Sequence, residues 1–243
     1  MAKKRKAHCA IAIVFVLIFF ALAMHSCATP YYYNLSEDEL ARLKLEAVMG
    51  DGKAAARVVD YYLFTKGDHN NEYVWTLIGA ENGDTLMMEH LSSIYLGASG
   101  KVYENFTRAI FWLYQLAIYD YEETDNHWKA ETFIERLERE GYTLETAKPP
   151  SDALFPSMQT LTPSGTARYK KGALQGSGQA VLVLANYLIT TGDAEEAEYW
   201  YRIGAQNGDR EFMRKYGSLL LWKEETLDQE RGKFWLGRGN GDN

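Results

Sequence analysis

Apolar residues in the body of the chain recur every three or four positions. Val58, Val59, Tyr62 and Leu63 follow this spacing, and so do Val183, Leu184, Tyr187 and Leu188. A period near 3.6 predicts amphipathic helices with one buried face. Each stretch then meets a turn, Thr-Lys-Gly-Asp at 65–68 or Thr-Thr-Gly-Asp at 190–193, where glycine can take a positive φ and end a helix. A second amphipathic stretch follows. It holds a tryptophan and, five residues on, a small alanine: Trp75 with Ala80, and Trp200 with Ala205. Small residues let helices approach while the indole fills the space beside them. Asn-Gly-Asp closes the unit. Gly83 and Gly208 are expected at helix C-terminal turns, and Asp84 and Asp209 at the N-caps of the next helix.

These stretches are copies. Ile78–Asp84 reads Ile-Gly-Ala-Glu-Asn-Gly-Asp, and Ile203–Asp209 reads Ile-Gly-Ala-Gln-Asn-Gly-Asp, an offset of 125 residues. The same offset pairs Val58 with Val183, Tyr62 with Tyr187, Leu63 with Leu188, Gly67 with Gly192, Trp75 with Trp200 and Met88 with Met213. Self-similarity of this kind is the mark of a helical repeat array. Upstream, Ser36-Glu37-Asp38-Glu39 starts a capped helix ending near Gly50, expected to cover the exposed end of the stack. His127 to Glu140 reads as a further helix. Residues 143–176 hold four of the five prolines, Pro149, Pro150, Pro156 and Pro163, and are expected to be an irregular loop.

Asp193, Ala197, Trp200, Tyr201, Ala205 and Gly208 have the spacing of the second helix and turn of the Sel-one-like repeat, a relative of the tetratricopeptide repeat, and the chain resembles that family. A middle unit matches through Leu91, Tyr95, Gly97, Gly100, Val102, Ala109, Trp112 and Ala117, with Asp120 where the turn glycine belongs. The first unit has Glu72 at an alanine position, and a fourth keeps Phe234 and Trp235. The resemblance covers roughly 46–120 and 177–243. It implies an all-α fold: an α/α solenoid of helix-turn-helix repeats interrupted by an irregular loop. The organisation expected is a signal segment (1–26), a tether (27–35), N-terminal repeats with an extra helix (36–142), the proline-containing loop (143–176) and C-terminal repeats (177–243). Trp75, Trp112, Trp200 and Trp235 fall at core positions. Trp128 and Trp222 lie outside that series, and Trp222 is the better candidate for exposure near a partner. Stacked helix pairs leave a curved shelf lined by the first helix of each pair. Its candidate partner-binding residues are Arg57, Asp60, Tyr61, Glu89, His90, Asn186, Arg214 and Lys215, together with Trp222.

The N-terminus is of another kind. Lys3, Lys4, Arg5 and Lys6 precede an apolar run from Cys9 to Met24. Its length favours a signal peptide over an uncleaved anchor, because a spanning helix needs about 20 residues. Ala-Met-His-Ser-Cys, ending at Cys27, resembles a bacterial lipoprotein processing site, which implies acylation of Cys27. Ordinary cleavage near Ser26 or Ala28 is the alternative. Ala28 in place of an aspartate implies an outer-membrane, periplasm-facing anchor. No cysteine follows Cys27, so the mature fold has no internal disulfide.

The formal charge is −7. Residues 1–26 carry four cations and no acid, so the chain without them stands at −11. That balance excludes the basic footprint of a nucleic-acid binder and favours a basic protein partner. Chemistry is sparse. His69, His90 and His127 have no metal-ligand spacing and read as structural or solvated. Gly97-Ala-Ser-Gly-Lys101 lacks the earlier glycine of a phosphate loop, His127-Trp-Lys129 lacks the acid its look-alike needs, and no nucleophile elbow is present. No catalytic residue, metal or cofactor is expected, and the chain is expected not to be an enzyme. Small exported lipoproteins of this repeat type resemble the immunity proteins of Gram-negative bacteria, which neutralise toxic effectors, including type VI phospholipases, in the periplasm. The resemblance implies a cognate effector as partner and a lipid hold on the membrane. An envelope scaffold mediating protein–protein contacts is the alternative function.

Overall fold

The computed structural model describes residues 33–98, 105–123, 150–155 and 161–242, with a few positions between 132 and 141. The signal segment, Cys27, most of the tether and most of the helix expected at His127–Glu140 lie outside the described residues.

The described residues form ten α-helices and no strand. Five precede the proline-containing segment: α1 (Glu37–Val48), α2 (Gly52–Asp60, continued by a π-helical turn Tyr61–Lys66), α3 (His69–Glu81), α4 (Thr85–Tyr95) and α5 (Phe106–Glu123). Five follow it: α6 (Pro163–Leu174), α7 (Gly178–Thr191), α8 (Ala194–Gln206), α9 (Arg210–Leu221) and α10 (Thr226–Asn240). Each helix packs on the next, as in a solenoid of helical hairpins.

Local sequence sets these boundaries. Ser36, Asp51, Asp68 and Asp84 cap α1 to α4 by accepting backbone N–H bonds, and Thr162, Ser177, Asp193 and Asp209 do the same for α6 to α9. Each such cap contributes about 1 kcal/mol. Gly83 and Gly208 have φ near +90°, which lets the chain leave α3 and α8 and turn at once into the next capping aspartate. Each half has its own core. Trp75 and Trp112 are buried in one, Trp200 and Trp235 in the other.

The loop expected over 143–176 gives way to helix α6 from Pro163 onward. Proline breaks a helix interior, but at the first helical position its missing N–H costs nothing and its fixed φ suits the helix. Thr162 caps that start. Helix α6 is the counterpart of α1: Ala47 and Ala173 are both fully buried, and Gly50 and Gly176 share a φ near +115°. The second set of five helices therefore begins at the Thr162 cap, not at 177.

The uniform offset also needs correcting. Asp51 and Ser177, the caps of α2 and α7, lie 126 residues apart, whereas Gly67 and Gly192, which end them, lie 125 apart. The first copy has one residue more, and the π-helical turn Tyr61–Lys66 absorbs it. Fully buried Val58 thus corresponds to fully buried Leu184, not to Val183, and Tyr62 corresponds to Leu188. This explains why Tyr187 is left more than a third exposed.

Helix α1 does not cover an exposed end. It packs on α10, and α5 packs on α6, so the array closes on itself. Between α9 and α10 the approach is close: a Cβ on Gly217 would stand 2.8 Å from the carbonyl oxygen of Gly232, and a Cβ on Gly232 as close to that of Gly217. Alanine in an open helix is about 1 kcal/mol better than glycine. Here the sign reverses. Gly217→Ala is expected to cost about 1–3 kcal/mol through overpacking against backbone, read as a lower urea midpoint at unchanged slope.

Candidate functional site

The seam between the two halves holds most of the buried charge. Glu81, near the end of α3, has a fully buried carboxylate. Arg202 Nε of α8 donates to its Oε1 at 2.8 Å, and Arg231 Nη2 of α10 to its Oε2 at 2.8 Å. Gln206 Nε2 adds a bond to Oε1 at 2.6 Å, and Arg238 Nη1 donates to the Glu81 carbonyl at 2.6 Å. Burial alone would push this carboxyl up. The charges and hydrogen bonds of Arg202 and Arg231 outweigh it and hold the group at about 2. Arg202, in return, is held above its ordinary value by Glu81 against the pull of burial.

The seam is reciprocal. Arg231 Nη1 reaches Asn82 Oδ1 at 2.6 Å and the Val48 carbonyl at 3.3 Å, while Asn82 Nδ2 donates to the Ala47 carbonyl. In the other half Arg108 Nη1 reaches Asn207 Oδ1 at 3.0 Å and the Leu174 carbonyl at 3.1 Å, while Asn207 Nδ2 donates to the Ala173 carbonyl. Arg108 lies over Phe111 at 3.8 Å and Arg231 over Phe234 at 4.0 Å. The one difference is the third acceptor: Arg231 has the Glu81 carboxylate, and Arg108 has only the Gln206 amide oxygen, at 2.8 Å. Burial lowers Arg108 to about 10, and it lowers Arg231 as well, with Glu81 drawing Arg231 back. Gln206 bonded to Glu81, its own counterpart, places the two positions on an approximate twofold axis, as at a self-complementary interface.

A cavity of about 180 Å³ lies at the seam, lined in matched pairs by Met88 and Met213, Trp112 and Trp235, and Gln115 and Arg238. A void of that size takes a few waters or one small ring, not a segment of another protein.

The predicted partner-binding residues lie on α2, α4, α7 and α9 and the turn after α9. Arg57, Asp60, Tyr61, Glu89, His90 and Lys215 are half-buried, and Asn186, Arg214 and Trp222 are exposed. They fall into groups. Burial raises Asp60 while Arg57 and His90 draw it back, which places the three together. Lys215 pairs with Glu211 at 2.9 Å, and Arg214 Nη1 donates to the Gly239 carbonyl.

The structure also brings together groups that the sequence spacing kept apart. Glu72, at the position where the repeat has alanine, is almost wholly buried. Its oxygens meet His69 Nδ1 at 2.6 Å and His90 Nε2 at 2.8 Å. The His69–Glu72 contact was legible as an i,i+3 pair on one helix face; the partner on α4 was not. Among the described residues, no group of three His, Cys, Asp or Glu is placed to hold a metal ion, and no helix is long and apolar enough to cross a membrane.

No known family model and no solved structure matches the chain. It is similar to an uncharacterised Escherichia coli protein, YibG, at 29 % identity over 89 residues. That match covers 35 % of this chain and 58 % of YibG, so the chain spans rather more than half the length of the relative.

Removing the seam carboxylate strands one buried cation, Arg231, and one partly buried, Arg202. Glu81→Gln is expected to cost about 3–5 kcal/mol. Adding Arg202→Leu, which copies the Leu77 of the other half, is expected to recover part of that loss in a double-mutant cycle on urea midpoints. Glu81 is depressed in the folded state, so its contribution is present above about pH 4.5 and lost as pH falls toward 2. The acid limb of the wild-type stability curve is therefore steeper over that window than that of Glu81→Gln.

Proposed function

We propose that this chain is a periplasmic binding protein, held at the outer membrane by a lipid on Cys27, that neutralises a toxic secreted effector by stoichiometric occlusion. One observation carries the reading: the two halves keep their apolar core, though not their buried charges (Glu72 stands against Ala197 and Glu81 against Gln206), and change their outward faces. Buried positions match, as with Val58 and Leu184 or Trp112 and Trp235. At corresponding outward positions, Asp60 becomes Asn186, Glu89 becomes Arg214 and His90 becomes Lys215. A core that is maintained while charge changes or inverts outside it is what a scaffold presenting a recognition surface requires. The excess of acid supports capture of a basic target, since complementary charge speeds encounter. The lipoprotein-type N-terminus supports placement where an exported effector arrives.

The test is direct. The product of a toxin-like gene adjacent to this one is purified and titrated with the chain. Its activity is expected to vanish at a one-to-one ratio, and co-expression is expected to restore growth only when residues 1–26 are kept. Full toxin activity in a large excess of the chain overturns the reading, and several weak partners in place of one tight complex favour the scaffold.

A further inference from the structure

Trp222 is the most exposed of the large hydrophobic side chains in the described residues, at 88 %. Tryptophan is seldom left in water without a reason. The fold does not supply one: the corresponding position after α4 is Gly97, so the repeat closes without an aromatic there. Leu219, one helical turn back, and Leu221 are exposed beside it in sequence.

The turn that carries this indole is braced. Trp222 N donates to the Leu219 carbonyl, and Lys223 N to that of Leu220. Gln229 Nε2 of α10 ties down the Lys223 carbonyl at 3.0 Å, and Lys223 Nζ is held by Glu198 of α8 at 2.6 Å. An aromatic on a fixed backbone loses little entropy when it is buried by a partner.

The unpaired charge beside it in sequence has one sign. Glu224 and Glu225 are exposed, their carboxylates take no hydrogen bond or ion pair among the described residues, and Asp228 follows in the first turn of α10. The nearest cation in sequence, Lys223, is committed to Glu198. An indole face beside uncompensated carboxylates suits a cation with a flat, apolar body. A guanidinium stacks on the ring and is neutralised by the acids, so arginine fits better than lysine. Exposed tryptophan and leucine also suit a bilayer interface, but these carboxylates oppose the negative surface of anionic lipid.

We infer that the α9–α10 turn, with Trp222 as anchor and Glu224 and Glu225 as rim, is a docking site for a protein surface that presents an arginine among apolar residues. The inference rests on the protein-binding part of the reading above and not on the partner's being a toxin.

The probes are a synthetic peptide of alternating leucine and arginine, the same peptide with glutamate for arginine, and vesicles of phosphatidylethanolamine and phosphatidylglycerol. Each is titrated into the full chain and followed by the Trp222 indole N–H signal. The arginine peptide is expected to move that signal and to bind about tenfold more weakly to Trp222→Ala. For Glu224→Gln with Glu225→Gln the expected loss is about threefold, and it shrinks as salt rises. Trp222→Ala leaves an exposed site and is expected to keep the wild-type melting temperature. Equal affinity for wild type and Trp222→Ala, or equal binding of the glutamate peptide, overturns the inference. Vesicle binding that depends on Trp222 and exceeds that of the peptide reassigns the turn to a membrane. A chain that takes the peptide through Trp222 yet leaves the toxin active sinks the neutralising role alone.

Discussion

A single buried carboxylate faces more positive charge than it can cancel, and the relation of the two halves depends on it. Glu81 accepts from Arg202 and Arg231 on its side-chain oxygens, while its backbone carbonyl takes Arg238. Uncompensated buried ions are costly, so the charged guanidinium ends here are met by acceptors, although the Nε of Arg108 and of Arg231 has none. The acceptors come from both halves: side chains of Glu81, Asn82, Gln206 and Asn207, and carbonyls that α1 and α6 leave unused at their ends. Apolar packing alone tolerates sliding. Oriented guanidinium bonds to helix-end carbonyls do not, because a shift of one residue removes several at once.

The reciprocity of Arg108 and Arg231 turns a repeat array into a closed body. In an open solenoid the terminal units need a polar outer face to stay soluble. Here α1 meets α10 and α5 meets α6, so the helices that would be the ends of each half cover one another. The approximate twofold axis passes near Glu81 and Gln206, and the asymmetry between those two residues is confined to the charge. Where the second half has the amide, Arg108 keeps its bonds but lacks a counter-ion, and burial depresses it. The two sides of the seam are alike in shape and unlike in electrostatics.

Much of this was legible along the chain. Periodicity and Gly-Asp punctuation located the helices of both copies, and the spacing of Trp75, Trp112, Trp200 and Trp235 marked them as core. Helix α6 was hidden because Pro163 reads as a breaker unless it is recognised as a first helical residue after the Thr162 cap. The extra residue of α2 was hidden because a π-helical turn absorbs an insertion without interrupting apolar periodicity. The seam was hidden for a deeper reason. The repeated heptapeptide shows its single mismatch at Glu81 and Gln206, but nothing local says that this mismatch decides where Arg202 and Arg231 point. Glu72 is a smaller case: its departure from alanine was visible, and its compensation by His69 and His90 was not.

Closure also bears on where another macromolecule can be held. An open stack of helical hairpins grips its partner in the curved interior lined by the first helix of each pair. In this chain α3, α5, α8 and α10 turn toward the seam and fill it with their own side chains around a cavity of about 180 Å³, too small for a foreign segment. On the proposed binding role, recognition is left to outer faces and turns. There too the two halves differ: Asp60 against Asn186, Glu89 against Arg214, and Gly97 against Trp222. Because the clasp is internal, these positions are free to change charge and size without disturbing it. Divergence outside a twofold-related core therefore has a mechanical cause in the seam itself: the groups that hold the halves together are not the groups on the outer faces.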